Sequence, residues 1–228
     1  MFVRLILLFI LGALQAVIGW IMVKSGLNDT SIAVNEIKLA VHFITAILLL
    51  SYILWMAFQL SISSLSINYS KRVKTFAGIT FLFLLFQLYY GGLMAGSKAA
   101  HAAVTWPDIN GYIIPPELFT AKSHLLTIQF IHRMLAYAIG ILVTILYKES
   151  VFLKAKRATS ILRNSMLVLV CIQIILGVLT LLNSIGSSFR TCAIIHQGTG
   201  ILLTMSVLLI FYLSHKINTQ LPSIQFNS

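Results

Sequence analysis

Three histidines, His42, His132 and His196, each lie a few residues inside an apolar run, and the run before each carries glutamine and glycine at one spacing: Gln15/Gly19, Gln87/Gly91 and Gln173/Gly177. Imidazole is a common metal ligand, and iron held in a flat macrocycle accepts two of them, one on each face. Facing helices of a bundle can present such a pair. A repeated hairpin with one buried imidazole per copy therefore predicts a membrane scaffold for a metal macrocycle. Three is an odd number, so one imidazole is left without a partner. Zinc fits less well, because no carboxylate or thiolate joins the histidines at their depth. The plainer use of a membrane histidine is an interhelical hydrogen bond, worth only about 0.6 kcal/mol on average. That use suffices for His42 taken alone, but it is a weaker account of three histidines at one depth.

The residues around each histidine sharpen the expectation. Ala136 and Gly140 follow His132, and Gly200 and Thr204 follow His196, at i+4 and i+8 on one helix face. Small residues below the imidazole predict a slot for a flat ring. His42 is followed by Ala46 and then Leu50, a poorer match. Arg133 is the one cation placed beyond the first turn of a span. It has two readings of equal weight: snorkelling to the interface, or bidentate pairing with a carboxylate carried by the macrocycle. The Gln-x-x-x-Gly pairs are weak signals one by one, since small residues commonly allow close helix approach. His101 and His124 are expected to be solvated loop residues, and His215 to have no special role. Cys171 and Cys192 fall at different depths, which disfavours a disulfide, and no CxxC or Cys/His metal spacing occurs. No Ser/His/Asp set or phosphate-binding glycine loop is present. With no acidic residue inside a span, a carboxylate proton relay is disfavoured.

The elements that must position these residues follow from composition. Of the 228 residues 59% are hydrophobic and 9% charged, with mean hydropathy +0.96. That balance excludes an ordinary soluble domain. Crossing a bilayer takes about 20 apolar residues, and six runs qualify: Phe2 to Val23, Ile37 to Leu60, Phe76 to Gly96, Leu126 to Tyr147, Ser165 to Leu182 and Cys192 to Ser214. Long unbroken apolar runs satisfy their backbone as helices. The expected fold is an all-α polytopic membrane helical bundle of six transmembrane helices. The first run resembles a signal peptide, but it is longer than a signal core and carries the repeated Gln and Gly, so it is assigned as a mature helix. The net charge of +11 is topogenic. Arg4, Lys71, Arg72, Lys74, Lys148, Lys154, Lys156, Arg157, Arg163 and Lys216 share one side of an alternating six-span chain, which the positive-inside rule makes cytoplasmic, with both termini. Nucleic-acid binding is not expected. Ser61 to Ser70 and Lys148 to Arg163 read as plain cytoplasmic turns. The outer connection Ser97 to Leu125, punctuated by Trp106-Pro107 and Pro115-Pro116, is long enough to be functional. All three histidines fall in the outer leaflet.

Several stretches together resemble the haem A synthase family. They are Gly91-Gly-Leu-Met-Ala-Gly-Ser-Lys-Ala-Ala-His-Ala-Ala-Val-Thr-Trp-Pro-Asp-Ile-Asn-Gly111, Ile113-Ile-Pro-Pro116, Gln129-Phe-Ile-His-Arg133, Leu176-Gly-Val-Leu-Thr-Leu-Leu182 and Ile195-His-Gln-Gly198. Gly12-Ala-Leu-Gln-Ala-Val-Ile-Gly-Trp-Ile-Met-Val-Lys-Ser-Gly26 is similar to that family's third helix. The resemblance implies two related four-helix halves and oxidation of the haem O methyl group to the formyl of haem A, which cytochrome oxidases require. It implies that His132 and His196 are the axial ligands of a haem b cofactor, with Arg133 beside it, and that His42 belongs to the site of substrate haem O, as metal ligand and catalytic residue. Residues 1–62 would be part of the substrate half, 63–75 a cytoplasmic loop, 76–216 a four-helix haem b half with outer loop 97–125, and 217–228 a cytoplasmic tail. On this alignment the chain starts at the third helix. The first hairpin, with the partner of His42 and an acidic residue implicated in catalysis, would lie outside it, leaving the second half incomplete. Gln129, at the equivalent distance before His132, cannot act as acid or base. Implied partners are membrane lipid, haem O, haem O synthase, an electron donor, and a complementing subunit or second copy. The implied location is the bacterial cytoplasmic membrane or the mitochondrial inner membrane. The rival expectation is a non-catalytic bis-His b-type membrane cytochrome or haem-handling protein.

Overall fold

The computed structural model describes residues 2–26, 32–61, 70–116, 118–151 and 157–215. Among these, six long helices follow in order: α1 (Phe2–Val23), α2 (Glu36–Ser61), α3 (Lys71–Ser97), α4 (His124–Val151), α5 (Arg157–Leu182) and α6 (Phe189–His215). Each contains a stretch long and apolar enough to cross a membrane, so the all-α six-span bundle expected from composition is the observed fold. The ends obey local chemistry. Asn35 Oδ1 accepts the Ile37 and Lys38 amides at 3.1 Å before α2, and Ser70 Oγ accepts the Val73 amide at 3.4 Å before α3. At the far end of α3, Lys98 takes the left-handed conformation (φ 56°) and its N–H returns to the Met94 carbonyl.

Helices α3 to α6 form a ring. Neighbours in the chain pack together, α3 closes the ring on α6, and α4 and α6 face each other across it without comparable packing. One half of the ring is filled by Val73, Ala77, Leu84, Val143, Leu146, Met166, Leu203 and Val207. The α1–α2 hairpin joins this ring mainly through α2 on α3 and also through α2 on α6, where Trp55 and Phe58 pack on Tyr212, while among the described residues α1 packs chiefly on α2. Lipid offers no hydrophobic drive for helix association, so close backbone approach carries it. Gly92 and Gly96 provide that approach. A Cβ on Gly92 would stand 2.9 Å from the Ala40 Cα, and one on Gly96 2.8 Å from the Glu36 Cα.

Three expected boundaries shift. The basic piece Lys148 to Arg163 is not a plain turn: α4 continues through Val151 and α5 begins at Arg157, leaving only 152–156 outside the described residues. Arg163 explains part of this, reaching the Ser150 carbonyl at 3.3 Å and lying over the Tyr147 ring. The loop assigned to 63–75 ends earlier, because Ser70 caps α3 and Lys71 is already helical. Helix α3 therefore starts at Lys71 rather than at residue 76. Most of the Ser61 to Ser70 turn, Lys216 and the tail 217–228 lie outside the described residues. Both cysteines are free.

Candidate functional site

Each histidine sits in the second or third turn of its helix, His42 in α2, His132 in α4 and His196 in α6. At 1.5 Å per residue this puts all three about 10 Å below the same end of the bundle. The glutamine and glycine of the preceding helix meet the ring in every copy. Gln15 Nε2 lies 3.1 Å from His42 Nδ1, Gln87 Nε2 3.2 Å from His132 Nε2, and Gln173 Nε2 3.4 Å from His196 Nε2. A Cβ on Gly19, Gly91 or Gly177 would meet the Cε1 edge of the same imidazole at 2.9, 3.6 or 3.0 Å. The Gln-x-x-x-Gly spacing is thus a device for seating a ring: the amide engages a nitrogen, and one turn on, the missing side chain admits the ring edge.

The structure brings two of the three histidines together. The His132 and His196 rings, on the diagonal pair α4 and α6, have centroids 6.5 Å apart and planes inclined at 66°. On each, Nδ1 is buried without a hydrogen-bond partner among the described residues. Buried imidazole nitrogens normally have a partner, so both rings retain binding capacity. His42 does not join them; it has Gln15 against its ring, and Gln15 Nε2 also donates to the His42 carbonyl at 2.9 Å.

The small residues below the imidazoles divide. Next to Gly140 the nearest atom to an added Cβ would be Ile174 Cδ1 at 3.8 Å, ordinary contact distance. At Gly200 the space is taken by the Gln173 amide, 2.9 Å from an added Cβ. Thr204 is buried and donates to the Gly200 carbonyl at 2.8 Å. Gly200 therefore makes room for the glutamine that holds His196.

Sequence reasoning missed how the long loop between α3 and α4 is fastened. Arg133 is 8% exposed and donates to the carbonyls of Asp108 and Thr105 at 2.8 Å and Ala103 at 3.4 Å. Fully buried Gln129 donates to the Ala103 carbonyl at 2.9 Å. Neither of the two readings of Arg133 anticipated this tie. His101 is exposed, as expected, yet its Nε2 pairs with the Ser184 carbonyl at 3.0 Å and its ring lies against Phe189. The loop therefore spans the mouth of the ring from α4 to the α5–α6 turn. Asp108 tightens it: its carboxylate accepts the Gly111 amide at 2.9 Å, and this bond, with the Thr105 hydroxyl, holds its carboxyl below the usual range. A depressed carboxyl contributes order that is lost only as pH falls through that lowered value. Arg133→Ala leaves the Thr105 carbonyl without its donor, at a cost of about 1–3 kcal/mol if buried, while the Ala103 and Asp108 carbonyls keep Gln129 and the Thr105 hydroxyl. Hydrogen exchange of the purified protein is expected to show residues 103–111 losing protection while α5 keeps its own. Unchanged exchange in the loop would remove this role.

A separate open cleft of about 450 Å³ is lined by Ser25, Asn35, Glu36, Ser97 and His124, with none of the three imidazoles.

Fold and site together define a polytopic membrane helix bundle with an apposed pair of buried imidazoles at one end. Residues 1–208 match the cytochrome oxidase assembly protein family, and the chain belongs to it. Its relatives include the "Heme A synthase" of Brucella suis (strain ATCC 23445 / NCTC 10510), 38% identical over 194 residues, and that of Brucella ovis at the same identity; each comparison covers 79% of this chain and 52% of the relative. The "Heme A synthase" of Brucella anthropi is 36% identical over 195 residues, covering 80% and 52%. The chain spans about half the length of these curated relatives.

Proposed function

We propose that this chain acts in haem A biosynthesis for cytochrome oxidase assembly, oxidising the methyl group of haem O to the formyl of haem A. In this reading His132 and His196 hold a haem b, and His42 belongs to the half that receives haem O. The observation that carries it is the imidazole pair. A metal–imidazole bond of about 2 Å on each side, plus about 1 Å from each nitrogen to its ring centre, puts the centres about 6 Å apart. The observed 6.5 Å between ring centroids fits that span. Two further features agree: the buried, partnerless Nδ1 atoms and the diagonal placement of α4 and α6.

A bound haem would supply the one-electron and oxygen chemistry that no side chain here offers. The protein's share is orientation and exclusion. Gln87 and Gln173 fix the imidazole rings, Gly91 and Gly177 admit them, and the Arg133-fastened loop closes the mouth against water. The basic residues Arg4, Lys71, Arg72, Lys74, Lys148 and Arg163 toward the opposite end support a cytoplasmic position for that end, with the imidazoles toward the outer face of a bacterial cytoplasmic or mitochondrial inner membrane. Lipid, haem O and an electron donor are the partners this chemistry requires; haem O synthase is the natural source of substrate, and a second copy or separate subunit is a further candidate partner at His42.

The test is chemical. Cells that make haem O but not haem A are supplied with this chain, and their haems are extracted and separated. Haem A is the expected product. Haem O persisting unchanged beside a haem-loaded protein would replace this reading with the b-type cytochrome.

A further inference from the structure

The three seats are built alike but not held alike. Thr45 and Thr199, each three residues after its histidine, donate to the glutamine of their own hairpin: Thr45 Oγ1 to Gln15 Oε1 at 2.6 Å, and Thr199 Oγ1 to Gln173 Oε1. In the middle hairpin the same position is Leu135, and Gln87 Oε1 is buried with no partner among the described residues. The ring contact differs in the same sense. An added Cβ would stand 3.0 Å from the His196 ring at Gly177 but 3.6 Å from the His132 ring at Gly91. His132 thus has an amide without an anchor and a looser edge contact, and His196 has neither.

Neutral imidazole carries one lone pair and one N–H. Once the lone pair goes to a metal, the N–H needs an acceptor, and such partners of a ligand are worth about 10–100-fold in affinity. A glutamine amide can accept only through Oε1. A threonine hydroxyl both donates and accepts, so Thr199 can hold Gln173 either way round. It donates to Oε1 as seen, or it accepts from Nε2 while giving its proton to the Ile195 or His196 carbonyl, each 3.0 Å away. Among the described residues Gln87 has no hydroxyl bonded to its Oε1.

We infer that Gln87 and Gln173 are positioning residues for the two axial imidazoles, that Thr199 anchors only the His196 side, and that His132 is consequently the exchangeable ligand, the side on which a small diatomic molecule reaches the iron. This rests on the haem site proposed above.

The test uses the haem-loaded protein, reduced, with carbon monoxide as probe. The wild type is expected to bind carbon monoxide, its bis-imidazole spectrum giving way to that of a carbonyl complex. Leu135→Thr, which supplies the absent hydroxyl, should slow binding about tenfold, the scale of one such partner. Thr199→Val and Gln87→Leu should each speed it several-fold and shift the reduction potential, an effect that mere packing damage does not mimic. A wild type inert to carbon monoxide, or rates equal in all three variants, overturns the inference while leaving the bis-imidazole site standing. Loss of the site itself would show beforehand, as a low-spin spectrum untouched by His132→Ala and His196→Ala.

Discussion

If His132 and His196 hold the proposed haem, the detergent-purified His132→Ala and His196→Ala proteins are each expected to lose its low-spin absorption, with haem affinity falling at least about 100-fold, since even the partners of a ligand are worth about 10–100-fold. The two losses should be equivalent in kind, because the rings stand 6.5 Å apart on helices that otherwise do not pack together. Neither ring can reach across the gap to compensate for the other. His42→Ala should leave that spectrum intact, since Gln15, not a second imidazole, lies against its ring. A wild-type spectrum in either of the first two variants sinks the axial pair. Loss of the same spectrum in His42→Ala would instead show that the α1–α2 hairpin belongs to the same haem site.

The second large effect concerns how the hairpin is attached. Leucine in place of both Gly92 and Gly96 is expected to detach α2 from α3. Overpacking a core usually costs about 1–3 kcal/mol because side chains shift to relieve it. Here the atoms met at 2.8–2.9 Å are the Cα atoms of Ala40 and Glu36, which move only if the whole helix moves. With no hydrophobic drive between helices in lipid, the hairpin is then left with the smaller contact of α2 on α6, where Trp55 and Phe58 pack on Tyr212. The thermal unfolding midpoint measured by circular dichroism should fall, while the haem spectrum of the α3–α6 ring survives, because His132 and His196 do not use this contact. Single Gly→Ala changes give the graded control. An unfolding midpoint equal to that of the wild type would show that the glycines are not the attachment.

The six spans were legible because apolar length alone dictates them: α1 runs from Phe2 to Val23 as read from the sequence, and the others differ mainly by turns added at their ends. Those added turns, such as α5 from Arg157, are polar helix beyond the apolar run, which a hydropathy criterion cannot register. The common depth of the three histidines followed from their spacing within the runs. The Gln-x-x-x-Gly pairs were visible but undervalued, since nothing in the chain says that a glycine faces a ring rather than a neighbouring helix. His-x-x-Thr at His42 and His196, with Leu135 breaking the pattern, was equally on view; it acquires meaning only when Gln15 and Gln173 are seen bonded to those hydroxyls. Arg133 could not be read at all, because its partners are loop carbonyls some thirty residues away, and a backbone carbonyl has no signature in sequence.

What the chain determined by itself is periodic and local: apolar length makes spans, and a repeated glutamine, glycine and histidine set three imidazoles at one level. Only the tertiary structure decided which of them meet. Pairing depends on the order of helices around the ring, with α3 closing on α6, so that α4 and α6 oppose each other while α2 stays outside. That order comes from backbone approaches such as Gly92 on Ala40 and from the loop tied down by Arg133. These contacts join residues far apart in the chain, and no window of sequence contains both partners.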